Sequence, residues 1–158
     1  PGIANTGFGV VELRSGRPSA VAAGVIETSS GDPLENRLAC LHRDLEEILT
    51  EFGPAAVALE ELYFGQNASS AMAVGQARGV VLLAAGLRGV PASGYTPQQI
   101  KQSVCGSGRA AKGQVIEMVR TRLSLVERPL PDHAADALAA ALCHVDRAPL
   151  ARALELAG

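Results

Sequence analysis

The chemistry this sequence can carry is concentrated at a few positions. Glu60 closes a short apolar run, and a carboxylate fixed at a strand end points into the crevice where open α/β sheets bind ligands. His133 and Asp136 stand three residues apart at the head of an Ala- and Leu-rich stretch, a spacing that puts both on one helical face, where they could share an ion. Each also has a plainer reading. Glu60 could be an ordinary strand-end charge, with Glu61 beside it equally able to be the solvent-facing residue. Asp136 gains from the dipole of a helix it helps to open, and Asp132 reads as the N-cap of that helix. Carboxylates joined by one imidazole form a hard, oxygen-rich donor set suited to Mg²⁺ or Mn²⁺. Two such ions activate a water and stabilise a leaving oxygen in phosphodiester hydrolysis. Zinc suits the set less, because no Cys lies near and no second His is obviously at hand; His144, eleven residues beyond His133, reads as packed or surface.

Cations flank these positions. Residues 27–61 carry nine acidic groups against Arg37 and Arg43, whereas in residues 88–122 Arg88, Lys101, Arg109, Lys112, Arg120 and Arg122 face only Glu117. A formal net charge of −2 conceals that basic stretch, which suits an acidic ligand or a solvated face. Both lysines of the chain fall in it, and Lys101, Lys112 and Arg109 could neutralise phosphates flanking a site. Tyr63 and Phe64 are two of only five aromatic residues and follow Glu60 directly; as loop residues they could stack on bases or plug the loop against a sheet.

The elements that must hold these groups follow from periodicity. The turn-rich start PGIANTGFG leads into an extended run, and a second covers residues 21–27, which together predict a hairpin. From Pro33 the apolar residues Leu34, Leu38, Leu41, Leu45, Ile48, Leu49 and Phe52 recur at helical spacing, with Asp32 as start and Gly53 as stop. AAVALEE after Pro54 suits a strand covered on both faces. Helices are predicted over residues 67–88, 97–104 and 109–125 and from Asp132 onward, with a strand over 90–95. This order implies α/β architecture, a mixed sheet with helices on both sides. One domain over residues 1–158 is expected, with about 148–158 as a surface helix or frayed tail.

Composition narrows the classes. With 47% hydrophobic and 19% charged residues the chain can bury a core without staples. The longest uncharged apolar stretch, 79–87, is far short of the roughly 20 residues a membrane helix needs, so no membrane span is expected. Three widely spaced cysteines without CxxC suggest neither a disulfide framework nor a zinc ribbon and fit a reducing cytoplasm.

Five blocks in order carry a family resemblance: PGIANTGFGVV, AVALEELYFGQN around Glu60, GQARGVVLLAA, TPQQIKQSVCGSGRAAKGQV, and HAADALAAALCH from His133. Over almost its whole length the chain closely resembles the RuvC-type Holliday-junction resolvases, endonucleases of ribonuclease H-like fold. The resemblance implies a homodimer that binds four-way junction DNA and makes paired symmetric nicks with Mg²⁺, in recombination and repair, alongside the RuvA and RuvB branch-migration proteins. It implies that Glu60, His133 and Asp136 are three of four metal-binding side chains, that Lys101 and Lys112 are the basic active-site pair, and that Tyr63 and Phe64 form the aromatic loop at the junction centre. Asp132 falls outside the family pattern.

The family's opening motif is Asp-Pro-Gly after a short apolar strand, whereas this sequence starts at Pro1. The expectation is therefore a fragment of a longer protein, with the first catalytic Asp and first strand absent. Lacking them, it should show unpaired backbone groups and an exposed apolar slot, and should bind metal weakly and cut poorly. Two other readings compete. A non-catalytic junction-binding module of the same fold fits the missing Asp. An actin-like phosphate-loop ATPase or sugar kinase has a similar glycine-rich hairpin, but it needs a second such loop and a second domain. Overall acidity implies modest, strongly salt-dependent DNA affinity.

Overall fold

The structure, a computed structural model, describes residues 2–61, 68–125 and 129–155. It opens on the expected hairpin: β1 (Asn5–Arg14) pairs antiparallel with β2 (Arg17–Glu27). The connection is two residues, Ser15 and Gly16, both with positive φ (51° and 78°), the conformation that matches the twist of the flanking strands. The register shifts between Val10 and Val11, whose partners are Ala22 and Ala20, so Val21 is the extra residue of a bulge in β2.

Helix α1 (Leu34–Phe52) buries Leu41, Leu45 and Leu49 along one stripe, and Gly53 closes it in the left-handed conformation by donating its N–H to the Leu49 carbonyl. Asp32 does not start this helix. Pro33 takes the N-cap position and has no side chain to cap with, while the Asp32 N–H bonds the Ser29 carbonyl in the preceding turn. Strand β3 (Val57–Glu60), helix α2 (Ala68–Leu87) and strand β4 (Ala92–Tyr95) form a crossover unit whose two strands run parallel. Helices α3 (Pro97–Cys105), α4 (Lys112–Arg122) and α5 (Asp132–Glu155) complete the order. Helix α4 is shorter at both ends than its apolar pattern implied, and α5 continues as helix to Glu155. No helix among the described residues is long and apolar enough to cross a membrane.

Strand alternation sorts the side chains into two cores, one on each side of the strands. Phe8, Ile26, Val57 and Leu59 join α1 and α2 in one, and Val11, Ala20, Ala58 and Tyr95 join α3, α4 and α5 in the other. Helices thus cover both faces, as expected. Among the described residues the strands form two separate two-stranded sheets, β1–β2 and β3–β4. Between them lies a slot of about 480 Å³ whose lining includes Val10, Leu49, Val57, Ala84 and Ala137, with Glu60, His133 and Asp136 also on its wall.

Two contacts set the position of α5. The first is steric: a Cβ built on Gly7 would lie 1.8 Å from the His133 carbonyl oxygen, and one on Gly9 2.7 Å from the Leu138 side chain. Glycine in β1 is what lets the helix backbone lie directly on the strand. The second is polar. Arg122 of α4 grips Asp146 of α5 through two bonds (3.0 and 2.8 Å), and Ser103 of α3 donates to the same carboxylate. Burial pushes the Asp146 carboxyl up, but the Arg122 and Ser103 bonds outweigh it and hold the group below its ordinary value.

Three outcomes follow. Gly7→Ala must move the backbone of His133 and should cost about 2–3 kcal/mol in urea unfolding. Gly113→Ala, at a helical glycine with open space around its Cβ position, should instead gain about 0.5–1 kcal/mol. Because the Asp146 carboxyl titrates lower folded than unfolded, its stabilisation is present above pH 3.8 and fades as pH falls through the folded value. Asp146→Asn should therefore lower stability by about 1 kcal/mol at pH 7, with the difference closing toward acid in parallel urea titrations.

Candidate active site

Glu60 reaches its position through the period of β3. Val57 N–H bonds the Pro91 carbonyl (2.9 Å) and Glu61 N–H the Tyr95 carbonyl (2.7 Å), so the odd-numbered residues turn their main-chain groups toward β4. Leu59 packs on the α1–α2 side and Ala58 on the α3–α5 side. Alternation then sends Glu60 with Ala58 toward α3–α5 and Glu61 to the opposite face. The two neighbouring carboxylates thus lie on opposite faces of β3, and Glu60 is the one on the α3–α5 side.

Facing Glu60 is a cleft of about 270 Å³ in which Lys101, Lys112 and Asp136 stand over a floor including Ile100 and Val115. Lys101 is carried by α3, whose start is locked by a reciprocal cap: the Thr96 hydroxyl accepts from Gln99 N–H, and the Gln99 side chain accepts from Thr96 N–H. Lys112 is the first residue of α4, whose N-cap Ala111 offers no side-chain bond. A cation there opposes the helix dipole. Two carboxylates of α5 offset this, for Lys112 Nζ lies 3.2 Å from Asp132 Oδ2 and 3.6 Å from Asp136 Oδ2. The Asp132 hydrogen bond, then the Asp136 charge, raise the ammonium above its usual range.

Asp132 thus has a different place from the one its sequence suggested. It is the first residue of α5 rather than the residue before it, and its carboxylate faces Lys112. Its spacing of four from Asp136, which puts both on one helical face, is the signal that could have shown this.

Desolvation raises the Glu60 carboxyl above its ordinary value, the Asp136 charge adds to the rise, and Lys101 and Lys112 oppose it. Two carboxylates facing one cleft, one of them desolvated, suit a hard divalent cation by donor type. His133 lies on the slot wall with Glu60 and Asp136, at the head of α5. These three are neighbours without forming a closed ligand cage. Among the described residues no three His, Cys, Asp or Glu side chains converge closely enough to hold one ion. An ammonium rests on Asp136, and the slot separates β3 from β1.

The remaining candidates are placed as follows. Arg109 is exposed in the turn before α4 and does not line the cleft, its N–H bonded to the Ser107 hydroxyl. Tyr63 and Phe64 lie outside the described residues. His144 is packed, its Nδ1 2.8 Å from the Tyr95 hydroxyl, and burial pushes its pKa down.

Comparison with known proteins finds relatives that match most of the length of the chain. The family model for "Crossover junction endodeoxyribonuclease RuvC" matches residues 1–144. A protein of that name from Thermomicrobium roseum is 50% identical over 145 residues, covering 91% of this chain and 88% of the relative. One from Moorella thermoacetica is 47% identical over 149 residues, covering 94% and 89%. Among solved structures, T. thermophilus RuvC in complex with Holliday junction substrate superposes with a TM-score of 0.90 at 42% identity, covering 96% of this chain and 92% of that one. A whole-length sequence match and a shared fold of ribonuclease H-like type lead to one conclusion: the chain belongs to the RuvC family of crossover junction endodeoxyribonucleases.

Proposed function

We propose that this chain acts as a structure-selective endodeoxyribonuclease on four-way DNA junctions, making paired symmetric nicks with Mg²⁺ in recombination and repair. The observation that carries the reading is the cleft shared by Glu60, Asp136, Lys101 and Lys112, a carboxylate pair flanked by cations at the end of a rigid strand. Glu60, Asp136 and His133 are the residues that would hold metal, with two ions per site and Mn²⁺ as a substitute. A bound ion of this kind supplies an activated water and offsets charge on the phosphate.

The chain's own groups do the rest. Lys101 and Lys112 attract the phosphodiester, and the uncapped start of α4 adds to the positive field around Lys112. Lys112 leaves Asp136 for the phosphate while Asp132 keeps its ammonium in place. Arg109 would meet backbone phosphates outside the cleft, and Tyr63 and Phe64 would stack on bases at the junction centre. The nick leaves a 5′-phosphate and a 3′-hydroxyl. The RuvA and RuvB proteins are the partners this reading implies, and the cytoplasm is its setting.

The activity also calls for a second copy, so that two sites meet two strands. The exposed face of α2 supports a homodimer: Met72, Leu83 and Leu87 are 67%, 55% and 70% exposed, and Gly79 and Gly86 between them have open space where a Cβ would stand. Large apolar residues alternating with glycines allow a like helix to approach closely in an isologous contact.

A non-catalytic junction-binding module is the second reading, favoured by the open ligand arrangement around Glu60, His133 and Asp136. The two are separated by incubating a synthetic four-way junction and a matched linear duplex with Mg²⁺. The chain is compared with a version carrying an added N-terminal apolar strand that ends in Asp. Symmetric nicks specific to the junction are expected in the extended form. They should disappear in its Asp136→Asn variant and slow by about 10²-fold under single turnover in its Lys112→Ala variant. Binding without nicking in every form would establish the non-catalytic module.

Sedimentation at micromolar concentration should show a dimer that Leu83→Glu converts to monomer. A monomeric parent would remove α2 as the contact.

A further inference from the structure

Glu60 is the last residue of β3, and the direction of its main chain has a consequence for its side chain. Since Val57 and Glu61 turn their main-chain groups to β4, Glu60 turns its carbonyl away from β4. That carbonyl needs a donor. Arg78, eighteen residues on and one-half of the way along α2, supplies it: its Nη1 donates to the Glu60 oxygen at 2.7 Å. The second arm of the same guanidinium lies against Gly94 of β4, where an added Cβ would stand 3.1 Å from Arg78 Nη2 and 2.8 Å from Glu61 Oε1. Gly94 is paired with Leu59, so this contact lies on the α2 face of the sheet, opposite the cleft.

We propose that Arg78 is the positioning residue for Glu60, holding the end of β3 from behind so that the Glu60 carboxylate stays aimed at Asp136, Lys101 and Lys112. The proposal rests on the reading of Glu60 as a metal ligand. The guanidinium never meets substrate. It acts through the peptide group of Glu60, whose rotation would swing the carboxylate out of the cleft. The planar fork suits the task, because one nitrogen takes the carbonyl while the other remains against the β4 backbone, a geometry that a single ammonium reproduces only in part. Outlying partners of metal ligands act in this way elsewhere, and their loss weakens metal affinity without touching the ion.

The test compares the parent with Arg78→Ala and Arg78→Lys by three readouts. Calorimetric titration with Mn²⁺ reports on the site, hydrogen exchange over residues 58–61 reports on the strand end, and junction affinity without divalent metal reports on DNA contact. Arg78→Ala should weaken Mn²⁺ binding about tenfold or more and speed exchange at the strand end, with junction affinity unchanged. Arg78→Lys should recover most of the Mn²⁺ affinity. Unchanged Mn²⁺ affinity and exchange in Arg78→Ala would overturn the proposal, as would a loss of junction affinity equal to the loss for Mn²⁺. The same holds for an Arg78→Lys variant no better than Arg78→Ala. A parent that takes up no Mn²⁺ would refute the ligand reading of Glu60 and the proposal with it, and is distinguished by appearing before any substitution is made.

Discussion

The contact between the backbone of α5 and the backbone of β1 is the constraint on which the rest of the molecule depends. With no side chain at Gly7, the helix settles until the His133 carbonyl oxygen occupies the space a Cβ would take. That depth fixes the first turn of α5 relative to the strands, and the first turn carries Asp132, His133 and Asp136. Further along the helix, Leu138, Leu142 and Cys143 are fully buried and make α5 the centre of one of the two cores. A substitution at Gly7 therefore acts on packing and on the candidate ligands together, which is why a turn-rich opening segment matters for chemistry some 125 residues away.

Around that fixed helix the polar groups are arranged against local preference. A lysine at the head of α4 opposes the helix dipole, and two carboxylates one turn apart on α5 repel each other. Each feature is unfavourable alone, and together they are nearly neutral. Such paired conflicts concentrate at functional sites, where the unfavourable part becomes useful once a ligand replaces one member. In the proposed reading Lys112 exchanges a carboxylate for a phosphate and Asp136 an ammonium for a metal cation, so that each keeps a partner of opposite charge.

The slot between the two sheets and the open ligand arrangement belong together. Glu60 sits at the end of β3, His133 and Asp136 at the head of the helix lying on β1, and the slot runs between them. Whatever separates β1 from β3 also sets the distance between the carboxylate from the strand and the pair from the helix.

Much of this was legible from the residues alone. The stripe of leucines in α1 and its Gly53 stop, the opening hairpin, and the helix that begins at Pro97 are local patterns, and local patterns are fixed by spacing and backbone conformation within a few residues. Type and position made Glu60, His133, Asp136, Lys101 and Lys112 candidates, and four of them share the cleft. Asp32 as a helix start failed because Pro33 intervenes, and Asp132 as a cap failed because Lys112, twenty residues away in sequence, competes for its carboxylate. The choice between Glu60 and Glu61 could not be read locally, since it depends on which face of β3 meets which helices. Nor could the role of Arg78, whose partner lies across a crossover of the chain. Residue types and their short-range periods determined which elements form and what chemistry they carry. Which groups face one another was decided only by the packing of α2 and α5 against the strands, because burial and close contact are properties of surfaces brought together over long stretches of sequence.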